Sequence, residues 1–291
     1  MEKLNYSSKN LKTFPAEILK QAHLEVLDIS TNTGSWDVLL NPNIFSTIPD
    51  GINALQSLKS FNLSRTSIQS LPDTFGELKN LKFLDLTSTE LTEFPECILQ
   101  LHDLEVLIME NCKIEFIPSG ISQLENLRIF NLDNALIKKV PAEIGHLKNL
   151  EELHLYNNFI QELPKEIAGL QNLKKLKIGS YENKRNQIKM LPSEIGQLKK
   201  LEYIHLGNNK LQDLPIELLG CSSLKILELW SNEFEFIPEW LSQLDLKELN
   251  FYSNPIKHLP ENYKFLRRIK KLTLDEHLDK ELEDKRKWNI F

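Results

Sequence analysis

One sequence pattern recurs along nearly the whole chain and limits the folds open to it. The string LxxLxLxx(N/C/T)x(L/I)xx(L/F/I/V)P returns mostly every 23 residues. A short fixed period of this kind corresponds to one strand, one turn and one return segment per repeat, and stacked repeats bury the apolar face that a single repeat cannot. The sequence therefore predicts one curved solenoid of the α/β class. Six of the residues that open its strands are Leu58, Leu81, Leu104, Leu127, Leu150 and Leu173.

The return segments predict the outer face of the solenoid. Each contains an apolar residue and a proline, and several continue with an acidic residue and an isoleucine expected to be buried, as at Pro192, Glu194 and Ile195. Proline favours the first position of a helix, and acidic side chains favour its first turn. We expect a short helical or 3₁₀ segment on the convex side of each repeat. Parallel neighbours are joined by right-handed crossovers, so the prediction is an open right-handed horseshoe of about eleven parallel strands on the concave face.

A column of asparagines predicts how the turns are held. Asn158, Asn186, Asn209, Asn232 and Asn254 occupy the Asn position of the later repeats, where a side-chain amide can satisfy buried backbone groups. The earlier repeats have Thr66, Thr89, Cys112 and Ala135 at this position. Threonine can replace part of the hydrogen bonding, cysteine only weakly, and alanine not at all.

The two ends of the array need protection because a terminal repeat exposes an apolar layer. We expect residues 1–23 to form a degenerate first repeat that acts as a cap, and residues 24–277 to form the repeats. Leu278 and Leu282 are spaced for one face of a helix, so residues 278–291 are predicted to form a C-terminal capping helix. The whole chain is then one continuous domain.

Composition narrows the partners and the compartment. The net charge is −6, with 35 Lys and Arg against 41 Asp and Glu, and no run of basic residues predicts a nucleic-acid partner. No stretch has the length and hydropathy of a signal peptide or a membrane span. The sequence as it stands predicts a cytoplasmic monomer, or a secreted or surface protein if an export signal has been removed. The three cysteines occupy unrelated positions, which favours reduced thiols over disulfides or zinc ligands.

Two intervals depart from the repeat length. Leu24 to Leu58 spans 34 residues and Leu173 to Leu201 spans 28, which places extra residues in Ser30–Pro42 and Gly179–Arg185. Both insertions leave the same edge of the solenoid, where loops on a rigid scaffold often carry recognition residues. The first contains Trp36 and the second Tyr181. They are either binding loops or tolerated surface insertions.

The alternation of strand side chains predicts which residues face the concave surface. Four apolar residues occupy such positions on three neighbouring strands, although the repeat needs none there, and an exposed cluster of this kind favours an interaction site. We call them the apolar patch: Phe83, Val106, Ile108 and Ile129.

A second group of concave residues lies farther along the chain. Tyr and Trp are enriched at binding hot spots, and Gly179 and Gly207 are predicted to leave a gap between Tyr156 and Trp230. Either patch could instead be covered by an insertion loop or by a second copy of the chain. We call the second group the aromatic patch: His154, Tyr156, Tyr203, His205, Trp230 and Tyr252.

Catalytic and metal chemistry have little support in the sequence. His154 and His205 lie two repeats apart in one column, roughly 10 Å, which is too far for both to bind one zinc ion. The chain has no HExxH, no GxSxG and no glycine-rich phosphate loop. We therefore predict a protein that is not an enzyme and uses no cofactor.

Three segments carry a resemblance to a known family: VPAEIGHLKNL at 140–150, LPKEIAGLQNL at 163–173 and LPSEIGQLKKL at 191–201. They resemble the 23-residue class of leucine-rich repeat found in bacterial repeat proteins and in plant intracellular Ras-group-related repeat proteins. The resemblance implies a protein-interaction scaffold, and the first hypothesis is that it binds a protein or peptide on its concave face. A second hypothesis is a carbohydrate- or small-ligand-binding protein that uses only the aromatic patch.

Overall fold

The strands form one open sheet. The computed structural model describes residues 2–32, 41–181 and 186–287. Within these ranges twelve parallel strands lie side by side in chain order, one more than predicted, because the degenerate first repeat also forms a strand. The strands are β1 (Glu2–Asn5), β2 (Leu24–Asp28), β3 (Ser60–Asn62), β4 (Phe83–Asp85), β5 (Val106–Ile108), β6 (Ile129–Asn131), β7 (Glu152–His154), β8 (Lys175–Lys177), β9 (Tyr203–His205), β10 (Ile226–Glu228), β11 (Glu248–Asn250) and β12 (Lys271–Thr273).

The return segments are 3₁₀ helices on the convex side, and the strands line the concave side, as predicted. One α-helix, α1 (Glu276–Lys287), follows the last strand. The 3₁₀ helices of the described chain are Ala16–Lys20, Asp50–Ala54, Asp73–Glu77, Glu96–Gln100, Ser119–Gln123, Ala142–His146, Lys165–Gly169, Ser193–Gln197, Ile216–Gly220, Glu239–Gln243 and Tyr263–Arg268.

The prolines lie one position earlier than the sequence predicted. Pro192 has φ −66° and ψ 143°, so its backbone is extended and it precedes the first helical residue. Its carbonyl oxygen accepts the first bond of the 3₁₀ helix, from the backbone N–H of Ile195 at 3.1 Å. The proline therefore lies just before the helix, and its fixed φ determines the direction in which the chain enters the first helical turn.

The leucine columns form one continuous core. Leu155 is 0% exposed, as are Leu153 and Ile144 of the same repeat, and the buried cluster runs without a break from Phe14 to Leu278. This confirms the predicted orientation of the leucine columns. Each repeat contacts its neighbours, so burial depends on stacking.

The asparagine column forms the predicted ladder of hydrogen bonds. Oδ1 of Asn158 accepts from the backbone N–H of Ile137 at 2.9 Å, and Nδ2 donates to the carbonyls of Leu132 and Tyr156 at 2.8 and 3.2 Å. In an earlier repeat the Thr66 hydroxyl makes one bond, to the Leu63 carbonyl at 2.7 Å. The later repeats thus satisfy more of their buried backbone with this side chain.

The three cysteines are free and buried, which confirms the prediction of unpaired thiols. Burial raises the pKa of the Cys97 and Cys221 thiols to about 11, so both are protonated at neutral pH.

In α1, Leu278 is fully buried and Leu282 packs against the core. The capping role of this helix remains a prediction, and residues 288–291 lie outside the described part of the chain. No helix in that part is long and apolar enough to cross a membrane.

Glycines on the convex side allow adjacent 3₁₀ helices to touch. A Cβ atom built on Gly169 would lie 2.0 Å from the carbonyl oxygen of Gly145 in the preceding repeat. Backbone atoms cannot move aside without disturbing both helices. At Gly51, by contrast, the nearest atom is the flexible end of Leu19 at 3.3 Å.

We expect Gly169→Ala to lower the free energy of unfolding by about 1–3 kcal/mol, because the methyl group overpacks a backbone contact. Gly51→Ala is the matched control, and its effect should stay within about 0.5 kcal/mol. Urea unfolding followed by circular dichroism measures both. Equal effects of the two substitutions would contradict the close contact between convex helices.

Candidate functional site

Strands β4, β5 and β6 bring the apolar patch together as predicted. The parallel register pairs Phe83 with Val106 and Val106 with Ile129, so these three side chains form one row across the sheet. Ile108 lies two residues beyond Val106 on the same face. All four side chains are half-buried. The patch is a contiguous apolar surface on the concave side.

The aromatic patch is a packed cluster built on β7, β9 and β10. The ring centroids of Tyr156 and His205 are 5.2 Å apart at 86°, and those of His205 and Trp230 are 5.9 Å apart at 90°. Tyr203 lies 6.4 Å from His205. Edge-to-face contacts of this kind stabilise aromatic pairs beyond the area they bury. The rings therefore hold one another in place.

The predicted gap at Gly179 and Gly207 is wrong. A Cβ atom on Gly179 would lie 2.2 Å from Nδ1 of His205, and one on Gly207 would lie 2.3 Å from the Trp230 ring. Each glycine lacks a side chain where the ring of the next repeat lies against its backbone. The space between Tyr156 and Trp230 is filled by His205.

Tyr181, from the second insertion, packs onto this cluster. Its ring centroid lies 4.7 Å from that of Tyr156 at 75°, and Tyr181 itself is 79% exposed. Tyr156 is only 8% exposed, so it supports Tyr181 and is not the accessible residue that the sequence predicted. Burial raises the pKa of the Tyr156 hydroxyl, and the nearby Tyr181 adds to the shift. Trp36, from the first insertion, lies outside the described residues.

Both insertions are closed at their base by the same device, which sequence reasoning missed. The Thr31 hydroxyl accepts a hydrogen bond from the backbone N–H of Asn43 at 2.9 Å, and the Ser180 hydroxyl accepts one from that of Asn186 at 3.0 Å. Asn43 and Asn186 then join the asparagine ladder. The repeat resumes its normal geometry directly after each insertion.

His154 is held by two carboxylates. Its Nε2 lies 3.1 Å from Oε2 of Glu152, and its Nδ1 lies 3.8 Å from Oδ2 of Asp133. Asp133 also accepts a bond from the backbone N–H of Tyr156 at 2.6 Å. Burial raises the pKa of the Asp133 carboxyl to about 6. Burial also lowers the pKa of His154, and the positive charge of Lys177 lowers it further. In the described ranges no group of three or more His, Cys, Asp or Glu side chains could hold a metal ion.

The aromatic patch is most accessible at its far end. Tyr203 and Trp230 are half-buried, and Tyr252 on the turn after β11 is 54% exposed. These three residues could contact a ligand directly. The predicted site residues thus form two surfaces on one face, one apolar on β4–β6 and one aromatic from β7 onwards.

A charged groove of about 620 Å³ runs along the edge where the strands begin, and sequence reasoning missed it. Its side chains alternate in sign from repeat to repeat. Lys82 Nζ lies 2.7 Å from Glu105, Arg128 lies 2.8 Å from Glu151, and Lys174 Nζ lies 2.6 Å from Glu151. The charges neutralise one another within the protein, so this edge is a weaker candidate for recognition than the concave face.

Family models match the repeats directly. A model described as a leucine-rich repeat region matches residues 47–132 and 119–191, and a second, described as Leucine Rich Repeat, matches residues 223–244. A leucine-rich repeat protein of Leptospira interrogans is 33% identical, with 93% of this chain and 71% of that chain aligned at a TM-score of 0.80. The chain belongs to the leucine-rich repeat family.

Other proteins match over part of their length. The Arabidopsis receptor kinase HAESA, in complex with the peptide hormone IDA and the co-receptor SERK1, is 25% identical with a TM-score of 0.76, covering 94% of this chain and 46% of that one. The mouse "Leucine-rich repeat and WD repeat-containing protein 1" is 33% identical over 106 residues, which are 32% of this chain and 16% of the mouse protein. The chain therefore matches only a small part of the curated mouse relative.

Proposed function

We propose that this leucine-rich repeat protein is a non-enzymatic scaffold that binds a protein or peptide on its concave face. The observation that carries the proposal is the row formed by Phe83, Val106 and Ile129, with Ile108 beside it. Core packing does not need these side chains, because the buried columns are filled by other residues. When a partner covers apolar side chains that are partly exposed to water on a rigid surface, the free energy of the system falls, so such a surface favours binding.

The position of the aromatic patch supports the same proposal. It begins on β7, directly beside the apolar patch on β4–β6, and extends to Tyr252 after β11. With strands about 4.8 Å apart, the two patches together span roughly 34 Å from β4 to β11. A partner lying along this face could bury about 800 Å² per side, which is typical of a specific complex.

The comparisons support a peptide or protein ligand. HAESA, which aligns with 94% of this chain, is seen in complex with a peptide hormone and a co-receptor. The carbohydrate alternative has less support, because Tyr156, one of the aromatic-patch residues that it would use, is only 8% exposed and packs against Tyr181.

We expect Ile129→Asp and Trp230→Ala each to weaken a concave-face ligand by more than about 1 kcal/mol, the level that marks a hot spot. That corresponds to roughly fivefold or more in Kd. The ligands are peptides selected from a random phage-displayed library on the wild-type protein, and their affinities are measured by calorimetry. Thermal melts by circular dichroism check that both variants remain folded.

The control is Phe236→Asp, which places a carboxylate on a different apolar surface. Phe236 is 51% exposed and lines a groove of about 570 Å³ with Trp240, away from the strand face. Selected peptides should bind this variant normally. If Phe236→Asp abolishes binding while Ile129→Asp and Trp230→Ala do not, the concave face is not the binding surface.

A further inference from the structure

Glu228 occupies the centre of a small grid of concave side chains, and sequence reasoning did not single it out. The register places Glu228 between His205 on β9 and Asn250 on β11. Trp230 lies two residues further along the same face, and Tyr203 and Tyr252 lie at the corners of the grid. Neighbours are roughly 4.8 Å away across the sheet and roughly 6.6 Å away along a strand. A half-buried carboxylate therefore lies beside the rings of His205 and Trp230, with a tyrosine at each of two opposite corners.

Two other glutamates on this face have a lysine on the following strand, and Glu228 does not. Lys175 Nζ lies 2.8 Å from Glu152, and Lys271 Nζ lies 2.9 Å from Glu248. The corresponding neighbour of Glu228 is Asn250, whose Nδ2 donates a hydrogen bond at 2.9 Å. An amide supplies a donor but no charge. Among residues 2–32, 41–181 and 186–287, no cationic side chain lies within ion-pair distance of Glu228.

Three nearby groups could carry positive charge, and none lies at ion-pair distance from Glu228. Lys271 on β12 feels the charge of Glu228, which adds to the effect of Glu248 in raising the Lys271 pKa, but its ammonium group is bound to Glu248 at 2.9 Å. Burial lowers the pKa of His205 to about 4, so this neighbour is neutral at physiological pH. Lys177 is on β8, two strands from Glu228 and thus roughly 10 Å away, with His205 between them. The negative charge of Glu228 also acts on Tyr203: burial first, and then Glu228 and Glu248, raise the pKa of this phenol to about 12.

We propose that Glu228, with Tyr203, Trp230 and Tyr252, forms a subsite for a basic side chain of the partner, preferably arginine. A guanidinium group donates two parallel hydrogen bonds to a carboxylate and stacks on aromatic rings, which an ammonium group does less well. The subsite supplies both features and lacks the cation that Glu152 and Glu248 have. The inference rests on the proposed function, because it assigns a residue class to the ligand of the concave face.

The test titrates the protein with N-acetyl-arginine amide and, separately, with the uncharged citrulline analogue, and follows the indole N–H signal of Trp230 by NMR. Trp230→Phe identifies that signal. We expect the arginine probe to shift it saturably, with a Kd on the order of 10 mM for a single contact, and the citrulline probe to leave it unchanged. Glu228→Gln should abolish the shift, whereas Glu110→Gln, which neutralises another concave carboxylate, should preserve it.

The outcomes separate this inference from the proposed function. No saturable shift, or equal shifts with both probes, or a shift that survives Glu228→Gln, would overturn the subsite. Ile129→Asp should leave the arginine titration intact while weakening selected peptides. If Ile129→Asp weakens those peptides but the arginine probe does not bind, only the subsite is wrong. If the probe binds and Ile129→Asp has no effect on the peptides, the wider concave interface is wrong.

Discussion

Asn158→Ala is expected to lower the free energy of unfolding by about 2–5 kcal/mol, because it leaves one buried N–H and one buried carbonyl without a partner. Asn158 is 0% exposed, so bulk water does not reach these groups. The N–H belongs to Ile137 and the carbonyl to Leu132, both in the repeat before that of Asn158, whereas the Tyr156 carbonyl keeps the backbone N–H of Asn134 at 2.8 Å. The substitution should therefore weaken the coupling between repeats as well as one turn.

Thr66→Ala is the matched control in the same column. The Thr66 hydroxyl makes a single hydrogen bond, to Leu63, so its loss should cost about 1 kcal/mol. Urea unfolding of both variants, with hydrogen exchange to locate the loss of protection, measures the difference. Equal small losses would show that packing, and not the asparagine amide, holds these turns.

Leu155→Ala should cost about 2–5 kcal/mol, the usual range for truncating a fully buried leucine and leaving a cavity. Leu155 is 0% exposed between the layers of adjacent repeats. Because each repeat contacts only its neighbours, the damage should spread to the repeats on either side before it reaches the ends of the array. Calorimetry and residue-level hydrogen exchange of the variant test the size and the location of the effect.

Met190→Ala serves as the control, since Met190 is 72% exposed and lies outside the strands and helices. Its effect should remain within about 0.5 kcal/mol. A melt unchanged by Leu155→Ala, or a larger loss from Met190→Ala, would mean that the leucine columns do not carry the stability of the array.

The repeat period by itself determined the architecture, the orientation of the leucine columns and the apolar patch. The physical reason is that each of these depends on neighbours at a fixed sequence distance. When a strand side chain at one position points inward, the next points outward, and the equivalent residue 23 positions later lies beside it on the next strand. The period alone is therefore enough to place Phe83, Val106 and Ile129 in one row.

The tertiary structure decided what depends on side-chain volume, on backbone conformation and on the paths of irregular segments. Asn134, Asn157 and Asn208 adopt positive φ just before the ladder position, a demand of the turn that the repeat pattern does not show. The position of Trp230 over Gly207, and of His205 over Gly179, follows from ring size and from contact between repeats. Tyr181, at the start of the segment whose length breaks the period, packs against Tyr156, and the repeat pattern cannot show this contact. The period locates a residue in the repeat, but only three-dimensional packing determines which side chains cover one another and which remain open to a partner.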